Sequence, residues 1–159
     1  KIMDDTLYLR EKYLPNANIA VLTNATMLNH EEVVKALRKA DHRILKLDAG
    51  TEELYQQINQ PQARRPLFWI VDHLQYFHGN LTIQTMFIRG DHHGKYIDNT
   101  TDENVNAWLE LLRLIKPKQV MIYSLDRNPA EGNLEKIEAS KLNEIAQRVR
   151  DIGIKTTVS

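Results

Sequence analysis

Apolar positions along this chain fall into two alternating patterns: short apolar runs or every-second-residue patterns, and stripes spaced three and four residues apart. The first predicts strands and the second helices. A helix is expected from about Asp4 to Tyr13, with Asp4, Asp5 and Thr6 available as caps and Pro15-Asn16 closing it. Asn18 to Thr23 reads as a buried strand. Asn29 and Glu32 stand at capping-box spacing before a helix whose inward positions are Val33, Val34, Leu37 and Ala40. Arg43 to Asp48 is a second strand, and Thr51 caps a short helix carrying Leu54, Tyr55 and Ile58.

Pro61 and Pro66 bracket a loop, after which Leu67, Ile70, Val71, Leu74 and Phe77 make one helical stripe that Gly79 stops. Leu81 to Ile88 is the third strand and Arg89 to Thr101 a polar loop. Val105, Trp108, Leu109, Leu112 and Ile115 line the next helix, which ends at Lys116-Pro117. Gln119 to Leu125 is the fourth strand. A helix capped by Ser140 carries Leu142, Ile145, Ala146, Val149 and Ile152, and a last strand follows Gly153, from Ile154 to Ser159. No segment between strands reads as a hairpin turn. Crossover connections are therefore expected, and with them a parallel sheet of the α/β class.

Composition narrows the function more than it widens it. A chain of 159 residues with 42% hydrophobic and 26% charged residues has the make-up of a single globular domain. No apolar run approaches the roughly 18 residues that span a bilayer, and no secretory leader is visible at Lys1, so a cytoplasmic protein without membrane contact is expected. Twenty-one basic residues balance twenty-one acidic ones, which leaves nucleic-acid binding without support though not excluded. Cysteine is absent, so neither a disulfide nor a thiolate metal site can form within these residues.

Parallel sheets bind ligands beyond the carboxyl ends of their strands. Those ends are Thr23-Asn24-Ala25-Thr26, Asp48-Ala49-Gly50-Thr51, Arg89-Gly90-Asp91-His92-His93 and Asp126-Arg127-Asn128-Pro129. All are polar, as suits a cofactor with amino-acid and ribose groups, although strand-to-helix loops are also polar when they only cap helices. Asp48 ends an apolar strand and needs a partner such as a hydroxyl pair or a cation, with the amides of Gly50 and Thr51 as the plainer alternative. Gln84 and Met86 share one side of the third strand, with Met86 read as core; Tyr123 and Leu125 share one side of the fourth. Arg127 could pair with Asp126 or hold an anionic substrate group. His92 and His93 are adjacent and would point apart, so a shared metal ion is not expected.

The same strings resemble a known family. Val21-Leu-Thr-Asn-Ala-Thr26 resembles the Thr-Asn-Gly third strand of radical S-adenosylmethionine (SAM) domains, with Ala25 in place of glycine. Lys46-Leu-Asp-Ala-Gly50, followed by Tyr55 and Ile58-Asn-Gln-Pro61, is similar to a fourth strand of the Fe–S oxidoreductase subgroup related to wyosine-forming enzymes. Ile83 to Gly90 with Asn99 resembles its fifth strand, and Ile115-Lys-Pro117 with Val120 to Arg127 and Pro129-Ala-Glu131 its sixth.

The resemblance implies a single domain over residues 1–159: a parallel-stranded fragment of a partial (β/α)6 TIM-like barrel, truncated at its N-terminus. The parent enzyme would cleave SAM reductively on a [4Fe–4S] cluster to give a 5′-deoxyadenosyl radical. The cluster-binding CxxxCxxC segment is missing here, so this chain alone is expected to be inactive. Thr23, Asn24, Asp48, Gln84, Tyr123 and Leu125 would meet SAM, and Arg127 the substrate, whose identity stays open. No catalytic or metal-ligating side chain is expected. An exposed barrel edge predicts self-association. The alternative is a non-catalytic α/β module that binds a nucleotide at the same strand ends.

Overall fold

The computed structural model of the chain describes residues 1–61, 65–92, 94–126 and 133–159. Its elements run α1 (Ile2–Tyr13), β1 (Ala20–Thr23), α2 (Glu31–Arg38), β2 (His42–Lys46), α3 (Glu52–Asn59), α4 (Leu67–Leu74), β3 (Thr82–Met86), β4 (Ile88–His92), β5 (Lys95–Asp98), α5 (Asp102–Ile115), β6 (Gln119–Tyr123), β7 (Leu134–Lys136), α6 (Ala139–Asp151) and β8 (Lys155–Val158). A single 3₁₀ turn, Gln75–Phe77, extends α4.

The principal sheet has five strands in the order β1-β2-β3-β6-β8, every pair parallel. That order never reverses along the sequence. Because crossovers between parallel strands are right-handed, a monotonic order sends every connecting helix to the same face. A doubly wound sheet, by contrast, reverses its strand order and carries helices on both faces. The burial follows suit: Leu45, Ile83, Val120 and Ile122 are fully buried and share one hydrophobic core with the inward residues of α2 to α6. Their neighbours along the strands, Ile44, Lys46, Gln84, Met121 and Tyr123, are only half-buried on the opposite face, and Leu22 is 59% exposed. The result is a singly wound α/β sheet with one face open, the arrangement of a partial TIM-like barrel.

A second sheet corrects the expectation of crossovers throughout. Ile88 to Asp98, read from the sequence as a strand end and a polar loop, folds as the antiparallel hairpin β4-β5, and β7 adds to the other side of β4. Gly94, between β4 and β5, has φ +76°, a backbone region glycine enters without strain. Gly90 permits the β7 side of this sheet, since a β-carbon there would lie 2.1 Å from the Asn133 carbonyl oxygen.

Helix starts depart from expectation in three places. α1 begins at Ile2, which puts Asp4 and Asp5 inside its first turn, where carboxylates favour the positive end of the helix dipole. α2 is preceded by His30 with no side-chain cap, and Asn29 instead accepts a hydrogen bond from Arg65 Nη2 at 3.1 Å. α6 starts at Ala139, after Glu138, so Ser140 lies within the helix. Thr51 caps α3 as expected, its hydroxyl accepting from Leu54 N–H. No described helix is long and apolar enough to cross a membrane.

Candidate functional site

Register sets the site. Lys46 of β2, Gln84 of β3 and Met121 of β6 stand side by side across the open face, and Met86 and Tyr123 form the next row toward the carboxyl ends. Met86 belongs to this half-buried surface, not to the core. Lys46 Nζ lies 3.4 Å from Asp48 Oδ2 and 5.9 Å from the centroid of the Tyr123 ring. Burial works against the Lys46 ammonium, but Asp48 and Tyr123 together outweigh it and raise its pKa above the ordinary lysine value. The surface thus offers an ammonium, an amide and a phenol beside two thioethers.

Asp48 is almost wholly buried, and it has the cation expected from sequence, Lys46, beside it, whereas the amides of Gly50 and Thr51 are not its partners. Oδ1 accepts from the Met86 amide at 2.9 Å, and Oδ2 accepts from Asn59 Nδ2 at 3.0 Å beside Lys46. The carboxylate bonds the β3 backbone just where the paired β2–β3 ladder ends. Asn99 does the same from the other side: its Nδ2 donates to the Asp48 and Met86 carbonyls and its Oδ1 accepts from Ile88 N–H. Asn104 continues the chain of bonds, donating to the Asn99 carbonyl and accepting from Gly50 N–H. Ser124 links the β6 end to Phe87 and Ile137. Asp48 stood out in the sequence, and Lys46, Asn59, Asn99 and Ser124 fall within the strings that carry the family resemblance. Asn104 had no such signal, because its role depends on residues brought in by register and helix packing.

At the β1 end, Asn24 Oδ1 accepts from both the amide and the hydroxyl of Thr26, and Thr23 Oγ1 accepts from Ala25 N–H. Ala25 lies between them at φ +64°, in the left-handed region that favours glycine. Thr23 pairs with Leu45 and shares its helix-covered face; Ala20 and Leu22 are the β1 residues on the open face. Leu125 follows β6 and is half-buried. Gln84, Tyr123 and Asp48 are therefore gathered around Lys46, whereas Thr23 and Asn24 build a turn at the sheet's edge. Arg127 and His93 lie outside the described residues. His92 Nε2 is 3.1 Å from Gln60 Nε2. No three His, Cys, Asp or Glu among the described residues come together as a metal-binding group.

A cavity of about 410 Å³ opens at the β1 and β2 ends, lined by Asn24, Thr26, Met27, Asn59, Gln60, Pro61 and Arg65. A larger one, about 580 Å³, lies at the opposite end of the sheet beside Gln119 and Lys155, the first residues of β6 and β8. The carboxyl-end cavity is the functional candidate, since helix N-termini and loops converge there.

No family model matches the chain. A curated protein of Synechocystis sp. (strain ATCC 27184 / PCC 6803 / Kazusa), UPF0026 protein slr1464, is 38% identical over 120 residues, which is 72% of this chain and 42% of that protein. The chain thus spans less than half the length of the curated relative it matches. Among solved structures, a radical SAM methyltransferase from Sphaerobacter thermophilus superposes at a TM-score of 0.77 and 20% identity, over 99% of this chain and 46% of its own. A domain of a pyruvate-formate lyase-activating enzyme from Bacteroides vulgatus ATCC 8482 gives 0.70 and 16% identity, over 99% of this chain and 89% of its own. The chain shares its α/β fold with these proteins.

Proposed function

We propose that the chain forms the later strand–helix units of a radical SAM barrel of the Fe–S oxidoreductase type, in a cytoplasmic enzyme. One observation carries the reading. A singly wound parallel sheet leaves its inner face uncovered, with Lys46, Gln84 and Tyr123 at the carboxyl ends, and it superposes over 99% of the chain on a radical SAM methyltransferase and on a domain of a pyruvate-formate lyase-activating enzyme. The residues fit SAM and do not fit its cluster. Half-buried amide, phenol and thioether groups suit an adenosine and a methionyl chain, whereas the sequence has no cysteine to ligate iron. The [4Fe–4S] ligands in this reading come from another part of a longer polypeptide.

When bound to such a cluster, SAM supplies reductive C–S cleavage. The work of this chain is positioning. Gln84 and Tyr123 bond the cofactor from the open face, Asp48 holds Lys46 and the β3 backbone in place, and Leu125 packs against the adenine. Thr23 and Asn24 shape the turn at one rim, and Arg127 takes an anionic substrate group. The exposed β1 edge, with Leu22 beside it, pairs with the remaining strands of the barrel or, lacking them, with a second copy.

Reading the genomic sequence that adjoins Lys1 tests the proposal most cheaply: a CxxxCxxC segment is expected, and an adjoining domain without clustered cysteines overturns it. The reconstituted full-length protein should then release 5′-deoxyadenosine from SAM under reducing anaerobic conditions. Calorimetry on the isolated chain separates the alternative, since micromolar SAM binding without a cluster marks a non-catalytic nucleotide module.

A further inference from the structure

The cavity at the β1 and β2 ends holds a cation that nothing described so far uses. Arg65 leaves the loop before α4 and lays its guanidinium over the Trp69 ring, 4.0 Å from the centroid. Its Nη2 donates to Asn29 Oδ1, and its Nε is buried with no hydrogen-bond partner among the described residues. Among the described residues it has no carboxylate counter-ion. Glu52 of α3 is occupied elsewhere, accepting from Leu67 N–H at 2.6 Å and from Gln56 Nε2 at 2.7 Å.

A half-buried guanidinium fixed on an aromatic ring is pre-organised and costs little further side-chain entropy on binding. The same cavity contains a second unmet group of opposite kind. Asn59 donates to Asp48 through Nδ2, while its Oδ1 is buried and accepts nothing from the described residues. Asn24 and Thr26 complete the wall, Asn24 with its Oδ1 engaged by Thr26 and its amide N–H groups available as donors. Donors facing a lone acceptor call for a ligand that is anionic and carries one adjoining O–H.

We infer that this cavity binds an oxyanion with a neighbouring hydroxyl, a hydrogen phosphate or a 2-hydroxycarboxylate group, with Arg65 as its charge partner and Asn59 Oδ1 as acceptor for the hydroxyl. The inference rests on the cavity alone and stands whether or not the sheet binds SAM.

Amide and side-chain NMR of the whole 159-residue chain tests it, with inorganic phosphate, glycolate and acetate titrated at constant ionic strength. Saturable shifts confined to Asn24, Thr26, Asn59, Gln60 and the Arg65 Nε–H are expected with phosphate or glycolate. Acetate, which lacks the hydroxyl, should bind about tenfold more weakly than glycolate, the effect of one lost charge-assisted or buried hydrogen bond. Response to phosphate alone identifies a phosphoryl ligand, and response to glycolate alone a hydroxycarboxylate. Arg65→Gln should abolish the shifts while the rest of its spectrum overlays the parent. Arg65→Lys, which keeps the charge without the planar pair of donors, should retain binding weakened about tenfold. Absence of a localised, saturable response in the parent protein overturns the inference, as does a response that Arg65→Gln leaves intact.

Discussion

The two faces of the parallel sheet are built from the same strands and have opposite chemistry. On the covered face Leu45, Ile83, Val120 and Ile122 interlock with five helices, and the one polar strand residue fully buried there, Thr85, donates its hydroxyl to the Leu47 carbonyl. On the open face the residues between them are Ile44, Lys46, Gln84, Met121 and Tyr123, none fully buried. The difference shows how a single-wound sheet divides its labour. One side supplies stability by removing apolar surface from water. The other is free to carry charge and hydrogen-bonding groups because no helix packs over it, and Asp48 with Asn99 keeps the strand ends aligned where the ladder stops.

Substitutions on the two faces should therefore differ sharply, most of all under the centre of α5. Trp108 is fully buried and packs T-shaped against Phe87, the ring centroids 5.5 Å apart. Trp108→Ala should cost about 3–5 kcal/mol in urea denaturation, the loss of a large buried ring and the cavity it leaves. Met121→Ala on the open face should cost less than about 1 kcal/mol, because water already reaches that side chain. Equal losses would mean the open face is a core, and the comparison would fail.

The seam between the faces should respond next. Asn99→Leu strands the Asp48 and Met86 carbonyls and the Ile88 amide in a buried site. About 3 kcal/mol is expected from these unmet groups, with the faster amide exchange confined at first to β3 and β4. Gly50→Ala should follow at about 2 kcal/mol, since its β-carbon would sit 2.2 Å from the Trp108 amide nitrogen and force the β2–α3 loop away from α5. A neutral outcome at Gly50, read as an unchanged denaturation midpoint, would show that this loop is not pinned to the helix.

Much of the covered face was legible in the sequence. The stripe from Val105 to Ile115 and that from Leu67 to Phe77 each named residues that are all buried, because a 3.6-residue period states directly which side of a helix meets the core. The open face was half legible. Alternation placed Gln84 with Met86 and Tyr123 on one side of each strand, yet only register puts Lys46 beside Gln84 and close to Tyr123. The β4-β5 hairpin escaped because its strands are short and polar, with one buried residue, Ile97, in β5, so the period-two signal was too weak to outvote a loop. The cap of α2 was misread for a different reason: Asn29 has the right chemistry for capping, but a distant cation, Arg65, claims its oxygen. Pairings of that kind are fixed by tertiary structure and leave no local mark.

The smallest effect expected is also the most direct probe of water at the open face. In a helix-covered site burial would dominate and drive a lysine's pKa down. At Lys46 burial is the largest single influence and does act downward, but Asp48 and Tyr123 together exceed it, so the folded protein holds its proton more tightly than the unfolded chain. A raised folded pKa makes a stabilising contribution that is complete below the unfolded lysine value and is lost as pH climbs through the higher folded one. The difference in unfolding free energy between the parent and Lys46→Met should then stay level through neutral pH and shrink only above about 10.4, the ordinary lysine range. Subtracting the two curves removes the titration of every other lysine. A difference that grows with alkalinity would mean that burial prevails at Lys46, and the face described as open would have to be closed to solvent.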